Sequence, residues 1–93
     1  MVVGILHLSL TVPDAMSLKD KRRVIKGLKD RLHSRHNVSV AEVGGQDQHR
    51  RCELAVAMVS NDRRFVDSCL SKMVDEVRQR RSLTVVDYEI ELD

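Results

Sequence analysis

Lys19, Arg22, Arg23, Lys26 and Lys29 form the chemically most suggestive set in this sequence. At about 100° per residue these five cations and His33 share one arc of a helix about 120° wide, broken only by Asp30. Five Lys and Arg within three turns can neutralise about five phosphates, an interaction that reads the shape of a nucleic acid rather than its base sequence. Arg50 and Arg51 are candidates to extend the same contact. The competing reading is an ordinary solvated helix face. Against it stands the scarcity of acids at the i,i+4 spacing that usually balances such a face.

The other reactive residue types form weaker sets. His33 and His36 have the spacing of a metal pair, but no nearby carboxylate or thiol joins them, so helix-end histidines facing the dipole are expected. Asp47 and His49 share a loop, Gln46-Asp47-Gln48-His49, with no evident pocket or third group to make a general base. Asn61-Asp62-Arg63-Arg64 could offer helix amides to an anion, yet Asp62 would occupy those amides itself as a cap. Lys21 falls near the apolar seam of its helix. It is expected to snorkel, its stem on the sheet and its ammonium at the rim, rather than to face a ligand beside the Pro13–Ser17 loop. Cys52 and Cys69 make no CxxC or CxxH pair and are expected as buried thiols of a reducing compartment. No Gly-rich phosphate loop occurs. The expectation is a protein without catalysis, cofactor or metal.

These residues must be positioned by few elements. Ser17 to His36 reads as a capped amphipathic helix, with Ser17 as N-cap, Asp20 at the capping-box position, and Leu18, Ile25, Leu28 and Leu32 on its apolar side, flanked by Val24. Gly27 weakens that helix by about 1 kcal/mol relative to Ala and suggests close packing. Val2 to Val12 alternates Leu6, Leu8, Leu10 and Val12 with His7, Ser9 and Thr11, the period of a half-buried strand ended by Pro13-Asp14. Asn37 to Val43 is a second strand, with a bulge or sheet edge expected at Glu42. Gly44 to Arg50 is a hairpin loop, and Cys52 to Val59 a central third strand. Phe65, Val66, Cys69, Leu70, Met73, Val74 and Val77 mark a second helix that runs to Arg81. Thr84 to Leu92 closes the chain, with Val86, Tyr88, Ile90 and Leu92 expected inward and Asp87, Glu89 and Glu91 outward.

The order β-α-β-β-α-β predicts a ferredoxin-like α+β sandwich over residues 1–93 as one domain. It consists of a four-stranded antiparallel sheet with both helices on one face. Strands one and three should be central, strand four beside one and strand two beside three. The open face would carry Ile5, His7, Ser9, Ala55, Ala57 and Val59, with an acidic margin from the last strand. Phe65 and Tyr88, the only aromatics, are expected in the core, so base stacking on the sheet is not the expected mode of RNA contact. The small apolar side chains of that face suit a homodimer interface instead.

Composition sets the limits. With 42% hydrophobic residues and a formal net charge of +2, the chain can bury a core and is not disordered. The charge is unevenly spread. The helix of Ser17 to His36 is strongly basic, whereas the last seven residues hold four acids and no base. The apolar start lacks the basic flank and small-residue cleavage site of a signal peptide, and no run reaches membrane-spanning length. A cytoplasmic protein is expected.

The run SLKDKRRV at 17–24, NVSVAEV at 37–43, Gln46-Asp47 with Arg51, VSNDRR at 59–64 and VVDYEIEL at 85–92 resembles the YlxP-like family of small bacterial proteins, nearly end to end. The family has no established biochemical activity. The resemblance implies the ferredoxin-like fold, and the family's frequent encoding near translation and ribosome-maturation factors implies work on RNA or the ribosome. In two places the sequence departs from the family's pattern. Gly44-Gly45 stands where an acidic turn is more usual, and His49 where a bulky aromatic is expected. Structured RNA or the ribosome is therefore the expected partner, and a homodimer the alternative. No small-molecule substrate is implied.

Overall fold

The strand built from alternating leucines is the spine of the molecule. In the computed structural model, which describes residues 1–93, this strand, β1 (Val2–Thr11), pairs antiparallel with two others. Its partners are β3 (Arg51–Ser60), from Val2 opposite Ser60 to Thr11 opposite Arg51 without a break, and β4 (Thr84–Leu92). β2 (Ser39–Gly44) adds to the far side of β3, giving the order β2-β3-β1-β4. Helices α1 (Leu18–Arg35) and α2 (Arg63–Arg78) complete the β-α-β-β-α-β chain, the ferredoxin-like arrangement that its pattern predicts.

Both helices start on side-chain caps. Ser17 Oγ accepts from the Asp20 amide at 3.1 Å, and Asp20 in turn accepts from the Met16 amide at 2.9 Å. Asp62 Oδ1 accepts from the Phe65 amide at 3.1 Å, so its carboxylate occupies the start of α2. Seventeen buried apolar residues form one cluster, in which Leu6, Leu8, Leu10, Leu54 and Val56 of the sheet meet Ile25, Leu28 and Leu32 of α1 and Val66, Leu70, Met73, Val74 and Val77 of α2. Gly4 lets α2 lie this close, because a Cβ there would collide with Val66 and Leu70.

Several expectations fail in informative places. The ladder between β1 and β4 shifts after Ser9, so that Leu10 lies opposite Val85 and Ser9 opposite Asp87. Val86 is the extra residue of this bulge and is 64% exposed, while Val85 takes the inward place. Tyr88, opposite Leu8, does point to the helical side. β4 is an edge strand, however, and the ring stays 43% exposed under Arg78, whose guanidinium carbon is 5.3 Å from its centroid. Phe65 is 54% exposed rather than in the core: it lies about 100° around α2 from Val66, beyond the arc that meets the sheet. Helix α2 stops at Arg78, not Arg81, and Arg80 lies beyond its end. The expected irregularity in β2 is present, between Glu42 and Gly44.

Candidate functional site

Three parts of helix α1 meet something other than the apolar core. On the outer arc Lys19, Arg22, Arg23 and Lys26 are exposed and Lys29 is half-buried. Lys26 Nζ donates to Asp30 Oδ2 at 2.8 Å, and this bond holds the Asp30 carboxyl below the usual carboxylate range. The remaining four cations have no carboxylate within ion-pairing distance. The arc continues into a shallow groove of about 410 Å³ towards β2, lined by Arg22, Lys26, Lys29, His33 and, at its far wall, Glu42.

Of the two arginines expected to help, Arg50 is exposed and its Nε donates to the Ala15 carbonyl at 3.2 Å, in the loop that precedes α1. Arg51 does not join it. The pleat turns Arg51 to the side of Glu53, where Nη2 approaches the Glu53 carboxylate at 3.6 Å, on the sheet face away from the helices.

The flank of α1 that meets the β2–β3 hairpin holds Lys21. Snorkelling is not what this residue does. It is 1% exposed, and its ammonium donates to Glu42 Oε2 at 2.9 Å, to the Gly45 carbonyl at 2.7 Å and to the Arg51 carbonyl at 3.1 Å. A lysine ammonium has three donors, and all three are met. The bulge at Glu42 and the positive φ of Gly45 (76°) shape the loop around it, a conformation that glycine adopts without strain. Lys21 therefore ties helix to hairpin and offers nothing to a ligand. Burial and the neighbouring Glu42 carboxylate push the Cys52 thiol up to about 12, so it stays protonated and inert. Asp47 and His49, at the hairpin tip, are both exposed.

The opposite flank faces α2. His36 Nε2 lies 3.1 Å from both Glu76 oxygens, and Arg35 Nε lies 3.6 Å from Oε1. His33 points instead into the groove beside Lys29, so the two histidines do not converge. No group of three or more His, Cys, Asp or Glu side chains is placed to hold a metal ion. Above the Glu76 cluster a cleft of about 420 Å³ runs between the helices, lined by Leu28, Arg31, Leu32, Arg35, Gln79 and Arg80. Nothing in the periodicity of the sequence marks Arg80 as part of α1's surroundings. The only available signal is Gly27, in mid-helix: a Cβ there would lie 3.3 Å from Arg80 Nη2.

The sheet face opposite the helices carries Ile5, His7, Ser9, Ala55, Ala57 and Val59 in register across β1 and β3. Asp87, Glu89 and Glu91 face the same way from β4, with Glu91 3.3 Å from His7. Neither aromatic lies on this face.

Fold and surface together define a ferredoxin-like α+β protein with a basic helical layer and an acidic margin on its open sheet. Residues 3–90 match the model of a family described as "Protein of unknown function (DUF503)", and the chain belongs to that family. The uncharacterized protein YlxP of Bacillus subtilis (strain 168) is 37% identical over 62 residues, which are 67% of each chain. Among solved structures, a chain of LarC2 covers the whole sequence with a TM-score of 0.56 at 13% identity. LarC2 is the C-terminal domain of a cyclometallase involved in the synthesis of the NPN cofactor of lactate racemase, and the match takes in 55% of that chain. This likeness concerns the fold alone. No helix is long and apolar enough to cross a membrane.

Proposed function

We propose that this protein binds structured RNA, on the ribosome or its precursors, without catalysing a reaction, through the outer arc of α1. The observation that carries the reading is the cluster of exposed Lys19, Arg22, Arg23 and Lys26 with half-buried Lys29 on one helix, with a single acid among them. Arg50, bonded to the Ala15 carbonyl in the loop before α1, is the candidate to extend that contact. A stripe of this kind clamps phosphates and takes its selectivity from the spacing of the backbone rather than from bases. The acidic margin of β4 lies on the other layer of the molecule and orients it, basic side towards RNA.

The test is a binding titration at about 50 and 200 mM salt with folded ribosomal RNA fragments, single-stranded RNA and duplex DNA. For four to five contacts log K should fall against log salt with a slope of roughly −3 to −4.5. Folded RNA should bind tightest, and the combined Arg22→Glu, Arg23→Glu, Lys26→Glu variant should lose binding. Equal binding by that variant, or none by the native protein at low salt, removes the proposal. A second reading rests on the uncovered sheet, where Val59 is 63% exposed beside Ile5, Ala55 and Ala57. It makes this face a homodimer interface, and predicts a concentration-dependent dimer that Ala57→Arg dissolves in sedimentation experiments.

A further inference from the structure

The cleft between the two helices holds three arginines and too few partners for them. Glu76 is its one carboxylate, and it is already engaged by His36 and Arg35. Arg31 has no carboxylate within ion-pairing distance. Arg80 has none either, and its Nε is buried without any hydrogen-bond partner, the only such side-chain atom in the molecule. A buried, unpaired donor on a charged group is costly, more so than for a neutral one. Lys21, on the other flank of the same helix, shows how fully this chain satisfies a buried cation that serves the fold alone. Arg80 is not satisfied in that way.

Gly27 adds an independent observation. Glycine in the middle of an exposed helix costs about 1 kcal/mol relative to alanine. Here the missing side chain gives the Arg80 guanidinium room against α1, since a Cβ would lie 3.3 Å from Nη2 and push it back by a few tenths of an ångström. Arg80 also lies just past the last turn of α2, where a tail of Gln79 and Arg80 amides folds back on the helix carbonyls and fixes its backbone.

We propose that this cleft is a binding site for a small phosphorylated ligand, its phosphate held among the guanidiniums of Arg31, Arg35 and Arg80. The guanidinium fork matches the spacing of phosphate oxygens and donates to them in pairs. Arg35 can leave its long contact with Glu76 for the ligand while His36 keeps that carboxylate paired. Leu28 and Leu32 supply apolar floor for the rest of the ligand, and about 420 Å³ falls in the range of small-molecule sites. The site stands on the flank of α1 away from the outer arc and does not rest on RNA contact.

Pyrophosphate and a nucleoside monophosphate serve as probes, with citrate as a carboxylate control, titrated into the full chain at about 150 mM salt and followed by the arginine Nε–H resonances in 15N NMR. The Arg80 resonance should move on addition of either phosphate probe, and citrate should bind more weakly. Arg80→Met keeps the aliphatic stem and should weaken binding about tenfold or more; Arg31→Gln should do so to a lesser degree and guards against a fold defect in the first variant. The triple Glu variant of the outer arc should bind the probes like the native chain. Binding that survives in both Arg80→Met and Arg31→Gln overturns the site. So does a response confined to Arg22 and Arg23, or no response to either phosphate.

Discussion

The two flanks of α1 handle a shielded cationic donor in opposite ways: Lys21 is buried whole, Arg80 only at its Nε. Towards the hairpin, Lys21 sits 1% exposed with a carboxylate and two carbonyls around its three donors. Towards α2, Arg80 brings a guanidinium against the same helix and leaves its Nε without a partner. The first arrangement is complete and therefore structural: removing any member leaves an unmatched charge or dipole, and nothing remains to recruit a ligand. The second is incomplete, in a cleft that already contains two more arginines. A cationic donor shielded from water by itself thus says little about function. What separates the two is whether the fold supplies all its partners.

The comparison breaks most readily at Lys21. Lys21→Met leaves the half-buried Glu42 carboxylate without its cation and removes a donor from the Gly45 and Arg51 carbonyls, the first of which keeps the Gln48 amide at 3.0 Å, and should cost roughly 3–5 kcal/mol in urea unfolding. Adding Glu42→Gln should restore part of the loss, because the uncompensated charge goes with it. An unchanged unfolding midpoint for Lys21→Met would refute the structural role.

Gly4 and Gly27 sharpen the contrast on the α2 side. Gly4→Ala drives a methyl into Val66 and Leu70 where α2 packs on β1, and should destabilise by about 1–3 kcal/mol. Gly27→Ala meets only the movable end of Arg80. Its effect should be the smallest of these, with the opposite sign: up to about 1 kcal/mol more stable, with weaker pyrophosphate binding as Arg80 is displaced. Thermal unfolding of both variants, with and without pyrophosphate, separates packing from site.

A pH effect at the hairpin reaches the size of the Lys21 loss, about 4 kcal/mol over three pH units. The Cys52 thiol titrates at about 12 in the folded protein against 9.0 for its usual value. Above pH 9 the unfolded chain loses this proton while the folded one keeps it, so Cys52's contribution to stability is full below 9 and declines as pH rises towards 12. The decline approaches about 1.4 kcal/mol per pH unit. The difference in slope between native protein and Cys52→Ala isolates it. Equal slopes would show that the thiol is not held neutral.

Much of the fold was legible because its signals are local. The alternation in Val2 to Val12, the Ser17 and Asp62 caps and the 3.6-residue spacing of both helices each follow from neighbours within a turn or two of chain. The misread residues are those whose fate depends on a distant strand or helix. Tyr88 points inward as its alternation requires, yet stays half-exposed because β4 is the sheet's edge. Val86 turns out because one extra residue enters the ladder opposite Ser9 and Leu10. Arg51 has the right charge, but the pleat gives it to the other face. The outer arc of α1 was visible in full, since helix geometry alone groups it.

By itself, then, the sequence determined the order of elements, the leucine-lined core and the basic arc, all of which follow from periodicity and capping within single elements. Only the tertiary structure decided which cations are satisfied. Helix periodicity puts Lys21 near an apolar seam and Arg80 lies just past the end of α2, but no local pattern tells which of the two finds partners. Their difference arises where α1 meets a hairpin that brings Glu42, Gly45 and Arg51 to one ammonium, and where it meets an α2 end that brings Arg80 no partner of its own. Desolvation of a charge is a property of everything packed around it, and that is settled by contacts far apart in the chain.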